Sequence, residues 1–223
     1  MKALLNKTSF LIAGEVHLTP GWVGICLSIL LLGGCSALPD KPVRPAVYDF
    51  GPGLAAKPVS APAEALPPLL LADIEAPAAF DGTAVLFRLA YADVQQLRPY
   101  AQARWSMPPA QLVRQRLRDP LSQQRVVLSP AEGPAAVILR LELEEFTQVF
   151  DAPDRSVGLV RVRATVLEAT GGRERPVAQR RFTVQRPAPS ADAPGGVRAL
   201  TAASDAAIDE IAQWLKQLPV GTR

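Results

Sequence analysis

Residues 136–150 read Ala-Val-Ile-Leu-Arg-Leu-Glu-Leu-Glu-Glu-Phe-Thr-Gln-Val-Phe and carry the clearest structural signal in the chain. Three leucines alternate with charged residues, namely Leu139, Leu141 and Leu143 with Arg140, Glu142 and Glu144. This two-residue period is typical of a strand with one buried and one solvated face. The period slips at Glu145-Phe146, where a β-bulge would keep both Leu143 and Phe146 buried.

Residues 156–167 alternate again and predict an antiparallel partner for this strand, with Ala152-Pro153-Asp154 as the turn. The inward side chains are Val160, Val162, Ala164 and Val166, and the outward ones are Arg161, Arg163 and Thr165. An antiparallel hairpin would set Arg161 and Arg163 across from Glu142 and Glu144. Gly171-Gly172 then turns the chain into a third strand over 177–185, with Phe182 and Val184 inward.

Shorter strands are predicted over 48–50, 69–74, 83–90 and 125–129. A helix is predicted to begin at Pro108-Pro109 and to run to about Pro120, with an apolar stripe formed by Ala110, Val113, Leu117 and Leu121. A polar linker over 187–196 leads to a last helix with the stripe Ile208, Ile211, Leu215 and Leu218. Strands and helices do not alternate regularly, so we expect an α+β fold in which two main helices pack on a mainly antiparallel sheet.

The N-terminal segment resembles a bacterial lipoprotein signal. Residues 22–32 are an uncharged apolar run of 11 residues, too short to span a bilayer but long enough for the hydrophobic region of a signal peptide. Leu32-Gly33-Gly34-Cys35 follows at once and resembles a lipobox, which predicts lipidation at Cys35. A secretory signal with an incidental cysteine and a short buried helix are the alternatives. Ser36 follows the cysteine instead of Asp, which in such lipoproteins favours the outer membrane.

Nine prolines lie between Pro39 and Pro77, so this stretch does not form a helix. We expect a leader over 1–34, a lipidated Cys35 with a proline-rich tether over 35–46, and one folded domain over 47–219. Two or more acyl chains on the cysteine would give stable anchoring, because a single chain binds only marginally.

Composition excludes most catalytic chemistry. The 223 residues contain one His, His17, and two Cys, Cys26 and Cys35, and a cut before Cys35 would leave no His and no second thiol. Nucleophilic systems that use His, zinc sites built from Cys and His, and internal disulfides are then unavailable to the mature chain. The net charge of +3, from 24 Lys+Arg and 21 Asp+Glu, is too small and too dispersed to predict nucleic-acid binding. We expect no enzyme activity, no cofactor and no metal site.

The candidate partner-binding residues are arginines. Arg114, Arg116 and Arg118 lie off the apolar stripe of the first helix, and Arg104 precedes a tryptophan at the helix entry. A solvated helix face, or a local cap in the case of Arg104, explains them equally well. Trp105 and Trp214 are expected to pack in the core. Phe146, Val149 and Phe150 are expected to lie in the core or at a sheet edge, and a lipid-binding groove is the alternative.

Several motifs resemble the ABC-type transport auxiliary lipoproteins, the PqiC-like family. They are Leu97-Arg98-Pro99-Tyr100-Ala101, the run from Ala103 through Arg104-Trp105 to Pro108-Pro109, then Leu112, Arg116-Leu117, residues 145–151, Arg163-Ala164-Thr165 and Trp214-Leu215. The resemblance covers about residues 47–217.

The resemblance implies an outer-membrane lipoprotein that serves an MCE-type lipid transport system on the periplasmic side, without catalytic residues. Its expected partners are an MCE-domain protein and the associated ABC transporter or inner-membrane complex. Two function classes stay open: an adaptor that docks on this assembly, which could be a homo-oligomer, and a carrier that itself shields an acyl chain. A groove between helices and sheet that is lined by side chains and larger than about 300 Å³ would favour the carrier. A solid core with exposed edges or an apolar patch would favour the adaptor.

Overall fold

The computed structural model describes residues 44–53 and 66–219. The described strands are β1 (Ala46–Tyr48), β2 (Leu69–Leu71), β3 (Ala84–Leu89), β4 (Asp93–Trp105), β5 (Val127–Leu128), β6 (Val137–Ala152), β7 (Arg155–Thr170) and β8 (Arg173–Pro187). The helices are α1 (Pro109–Ser122) and α2 (Ala193–Lys216), and single 3-10 turns occupy Ala78–Phe80 and Pro130–Glu132. The predicted α+β class, with two helices on one largely antiparallel sheet, is confirmed.

Strand β6 is the central strand of the sheet. One of its flanks pairs along its whole length with β7, and β7 pairs with β8, all antiparallel. The other flank is shared, because β2 runs parallel to the first part of β6 and β3 runs parallel to its last part. Strand β4 pairs with β3, β1 adds to the end of β4, and β5 adds to β2. The sheet is therefore an antiparallel meander on one side and mixed on the other.

Local sequence explains the meander. The β6–β7 turn is Pro153-Asp154, and the β7–β8 turn is Gly171-Gly172, whose φ angles are 60° and 76°. Two successive positive φ angles match the twist of a two-residue hairpin. The register of β6 shifts between Leu143 and Glu145, and Leu143 and Phe146 are both buried, so the predicted bulge is confirmed.

The core fills the space between the sheet and the helices. The predicted stripes of both helices are buried except for Leu218, which is half-buried and lies beyond the end of α2. Helix α2 packs on β6, β7 and β8 and also contacts α1. The approach of α2 is very close at Gly158, because a Cβ built there would lie 2.5 Å from the backbone carbon of Ala199 and 2.6 Å from the nitrogen of Leu200. Only a residue without a side chain allows the helix backbone to rest on β7 at this point.

Three predictions about the elements need correction. Strand β4 spans 13 residues that were expected only as the approach to the helix. Helix α2 begins at Ala193, inside the predicted linker, because the Asp192 carboxylate accepts a 2.8 Å hydrogen bond from the backbone N–H of Gly195 and caps the helix. The first predicted strand lies at 46–48 instead of 48–50, and it is an edge strand of the sheet.

The predicted leader, Cys35 and most of the predicted tether lie outside the described residues. Within the described residues, no helix is both long and apolar enough to cross a membrane.

Candidate interaction site

Three aromatic side chains form a buried cluster, one from β4, one from β6 and one from the segment after β1. The Trp105 ring is 5.8 Å from the Phe50 ring and 5.6 Å from the Phe146 ring between centroids, both in edge-to-face geometry. All three side chains are buried, and Trp105 is only 2% exposed. The expectation that Trp105 packs in the core is confirmed, and Trp214, which contacts Phe182, is also buried.

Arg116 ties the segment after β1 to both helices. Its Nε donates to Asp205 Oδ1 at 2.8 Å, and its Nη2 donates to the carbonyl oxygen of Phe50 at 3.0 Å. A third contact joins Nη1 to the carbonyl oxygen of Gly51 at 3.3 Å. The Arg116 side chain is 12% exposed. These contacts hold the Phe50 backbone over the aromatic cluster, so Arg116 acts as a positioning residue inside the domain.

Arg114 and Arg118 point away from Arg116. Arg114 donates to the carbonyl oxygens of Leu71 and Ala72, both at 3.3 Å, and its Nε lies 3.4 Å from Asp73 Oδ1. Arg118 donates to the carbonyl oxygen of Val127 at 3.0 Å and lies 3.3 Å from Glu132 Oε2. Their side chains are 25% and 39% exposed. Arg116 therefore binds α2 while the other two arginines border the β2–β5 side, and partner binding by these residues stays a prediction.

Arg104 pairs locally, since its Nη1 donates to the carbonyl oxygens of Tyr100 and Ala103. It does not contact the other three arginines.

The predicted ion pairs across β6 and β7 are confirmed for one of the two arginines. Arg163 contacts both Glu142 and Glu144, whereas Arg161 lies opposite Glu145 and forms no ion pair with any residue in the described part of the chain.

Glu144 lies between two arginines on the outer face of the sheet. Hydrogen bonding to Arg181, together with the positive charge of Arg163, lowers the pKa of the Glu144 carboxyl, so it is ionised at neutral pH. Arg181 Nε lies 2.7 Å from Glu144 Oε2. This network cross-links β6, β7 and β8.

A second polar cluster lies on the inner face near the start of α2. The Tyr100 hydroxyl donates to Gln148 Oε1 at 2.8 Å, and Gln148 Nε2 donates to Ser156 Oγ at 2.8 Å. Gln148 and Ser156 are buried. Burial, with a smaller contribution from the charge of Asp192, raises the pKa of Tyr100 to about 12. The Gln148 amide is thus satisfied on both sides and links β4, β6 and β7.

A groove of about 500 Å³ lies between β1 and α2 and opens to solvent. Its walls are residues 47–51 and Ser106 on one side and Val197, Arg198, Thr201, Ala202 and Asp205 on the other. Val47 is 67% exposed at its rim. Sequence reasoning did not find this groove, because β1 is separated from α2 by more than a hundred residues and neither segment has a motif of its own.

The comparisons with known proteins agree with this architecture. The family model described as ABC-type transport auxiliary lipoprotein component matches residues 48–212, and the chain belongs to this family. No curated protein matches the chain.

Two crystal structures share the fold. One is a Xanthomonas campestris protein of family DUF330, which is 19% identical with a TM-score of 0.63 over 76% of this chain and 94% of its own. The other is an uncharacterised protein, 16% identical with a TM-score of 0.60 over 77% of this chain and 99% of its own.

Membership defines the class of protein: an auxiliary lipoprotein of an ABC-type transport system. Of the predicted site residues, Arg104, Arg114, Arg116 and Arg118 are described and do not form a single site, and Cys35 lies outside the described residues.

Proposed function

We propose that this protein is the outer-membrane component of an MCE-type lipid transport system, anchored through Cys35 and acting from the periplasmic face without catalysis. Family membership supports the link to ABC-type transport. The apolar run over 22–32, the lipobox before Cys35 and the small polar Ser36 support the anchor and its membrane. In this proposal residues 1–34 are removed, residues 35–46 form the tether, and residues 47–219 form the working domain.

The groove between β1 and α2 is the observation that carries the adaptor role. Its lining mixes apolar groups with Asp49, Arg198 and Asp205, and its mouth is open to water. An acyl chain in this groove would contact apolar groups, but it would also desolvate the charged side chains of the walls, which costs free energy. The large aromatic side chains that could shield a lipid, Trp105 and Phe146, are instead buried against one another. This surface fits a protein partner better than a hydrocarbon chain.

One observation favours the carrier as a second candidate, namely the size of the groove. A volume of about 500 Å³ exceeds the lower bound for a small-molecule site. The two candidates differ in their predicted cargo: a carrier retains phospholipid through purification, and an adaptor does not.

Partner contacts are proposed for Arg114 and Arg118, which keep part of their guanidinium groups accessible. Arg104 and Arg116 are proposed to act on a partner only indirectly, by holding the β4–α1 entry and the segment after β1. Because Arg114 and Arg118 are already neutralised in part by Asp73 and Glu132, we expect each to contribute modestly to affinity.

The proposal is tested by purifying the full-length protein from its own envelope fraction in detergent. Wild type should fractionate with the outer membrane, incorporate labelled palmitate and co-purify with the MCE-domain protein of its transport system. Cys35→Ser should incorporate no palmitate, whereas Ser36→Ala serves as the matched control and should be processed normally. Native mass spectrometry that finds one phospholipid per protomer and no MCE partner would reject the adaptor in favour of the carrier.

A further inference from the structure

Strand β8 forms a long open edge of the sheet. Within residues 44–53 and 66–219 it pairs only with β7, and its other side has no neighbouring strand. The other open edges are shorter or interrupted, because β1 and β5 contain three and two residues and Pro99 interrupts residues 93–102 of β4, which extend beyond β1, whereas β8 contains 15 residues. An antiparallel edge strand directs the N–H and C=O groups of alternate residues outward, so β8 is a template for another extended chain.

The part of this edge that can accept a partner runs from Val177 to Arg186. Pro176 and Pro187 bound it, and a proline cannot donate a backbone hydrogen bond. Between them the side chains alternate regularly. Phe182 and Val184 are buried under α2, and Gln179, Thr183 and Gln185 are exposed. These ten residues are long enough for a strand of ordinary length to pair with them.

Strand β8 is predominantly positively charged. It contains five arginines and one glutamate: Arg173, Arg175, Arg180, Arg181, Arg186 and Glu174. Arg181 and Arg175 are neutralised by Glu144 and Glu168. Arg180 and Arg186 are exposed and form no ion pair with any described residue, although the Arg180 guanidinium lies 5.0 Å over the Phe182 ring. Both side chains lie on the helix-bearing face, six residues apart, on either side of the buried Phe182 and Val184.

This arrangement disfavours a second copy of the chain as the occupant. Pairing two β8 edges would bring two sets of unpaired arginines together, and like charges on adjacent strands destabilise a sheet. The prolines and arginines therefore disfavour pairing of this edge with the same edge of a second copy. The same charges favour a strand that carries carboxylates.

We propose that residues 177–186 of β8 bind an extended acidic segment of a partner protein by strand addition. In such a complex, two carboxylates spaced six residues apart on the added strand contact Arg180 and Arg186. This inference rests on the proposed adaptor function, and it names the surface and the chemistry through which that function operates.

Hydrogen exchange measured by mass spectrometry tests the strand addition directly. The probe is a ten-residue peptide of alternating Thr and Val with Glu at positions two and eight, and the control peptide carries Lys at both positions. Added to the full-length protein in detergent, the Glu peptide should slow exchange over 177–186 at least threefold, and the Lys peptide should not. Equal effects of the two peptides, or no protection by either, would overturn the proposal.

A second arm uses the MCE-domain protein as the probe. We expect the same ten residues to gain protection, and the double variant Arg180→Glu, Arg186→Glu to weaken binding at least tenfold at low salt. The control variant Arg173→Glu, Lys216→Glu makes the same change in net charge outside the paired segment and should bind as wild type. If the MCE-domain protein binds but leaves 177–186 unprotected, the strand addition is wrong and the proposed function stands.

If the MCE-domain protein does not bind at all, the proposed function fails. The peptide experiment alone then decides whether residues 177–186 bind an acidic strand. Protection over 177–186 that appears without any probe and rises with protein concentration would assign the edge to a second copy and overturn the proposal.

Discussion

Nε of Arg116 lies 2.8 Å from Oδ1 of Asp205, a residue 89 positions later in the chain, and this contact joins α1 to α2. The same guanidinium holds the carbonyl oxygens of Phe50 and Gly51, so a single side chain fixes three segments of the domain.

Replacing Arg116 should therefore destabilise the domain strongly. Arg116→Ala leaves the Asp205 carboxylate and the Phe50 carbonyl without their donor, and we expect a loss of about 3 kcal/mol in the free energy of unfolding. Arg118→Ala is the matched control on the same helix. Its ion pair is largely solvated, so we expect a loss below about 1 kcal/mol. Urea denaturation of the protein lacking residues 1–34 measures both, and equal losses would contradict the assignment.

Trp105 should stabilise the folded domain through the volume of its ring and not through its indole N–H. The Nε1 atom is buried and finds no acceptor among the described residues. Trp105→Ala should cost about 3–5 kcal/mol by opening a cavity beside Phe50 and Phe146. Trp105→Phe keeps an aromatic ring in place and removes an unsatisfied donor, so it should cost clearly less than Trp105→Ala in the same denaturation experiment. A variant Trp105→Ala that unfolds like wild type would show that the ring has no structural role.

Gly158 should not tolerate any side chain. In Gly158→Ala the new methyl group would meet backbone atoms of Ala199 and Leu200, which do not move without shifting α2, and we expect a loss of about 1–3 kcal/mol. Gly82→Ala is the control, because a Cβ at Gly82 has no atom within 4 Å. Thermal unfolding should show a lower Tm for Gly158→Ala and little change for Gly82→Ala.

Tyr100 should titrate at an unusually high pH for a tyrosine. Burial and the nearby Asp192 raise its pKa from the ordinary value of 10.0 to about 12. Because the folded state favours the protonated phenol, its contribution to stability is complete below pH 10 and is lost as the pH rises towards 12. Ultraviolet titration should resolve a late step that is absent in Tyr100→Phe. Loss of the hydrogen bond to buried Gln148 should also cost Tyr100→Phe about 1–2 kcal/mol at pH 7.

Sequence periodicity predicted the elements that have one buried and one exposed face. Strands β6 and β7 alternate regularly and were predicted down to the bulge at Glu145, because burial on one side imposes the period. Strand β4 was missed because most of its first half is exposed and Pro99 interrupts it, so no such period exists. The start of α2 was missed because Gly195-Gly196 are poor helix formers, and only the Asp192 cap and tertiary packing make them helical.

The candidate site was harder to predict than the fold. Arg114, Arg116 and Arg118 have the same side chain at neighbouring positions of one helix, and only the structure shows that Asp205 faces Arg116. The groove between β1 and α2 likewise depends on contacts between distant segments. The resemblance to the family identified the right class of protein, since its motifs near Trp105 and Pro108-Pro109 can be read in the sequence without any structural information.

The order of the strands has a consequence for how the domain folds. The β6–β7–β8 meander needs only two short turns, so its contacts are local and should form early. Strands β1 and β2 are synthesised first, but their partners are Ala103–Trp105 and residues 137–139. They stay unpaired until those residues have been synthesised, and their pairing then closes long loops. We therefore expect the slowest folding step to be the docking of β1 and β2 onto the rest of the sheet, which completes the domain.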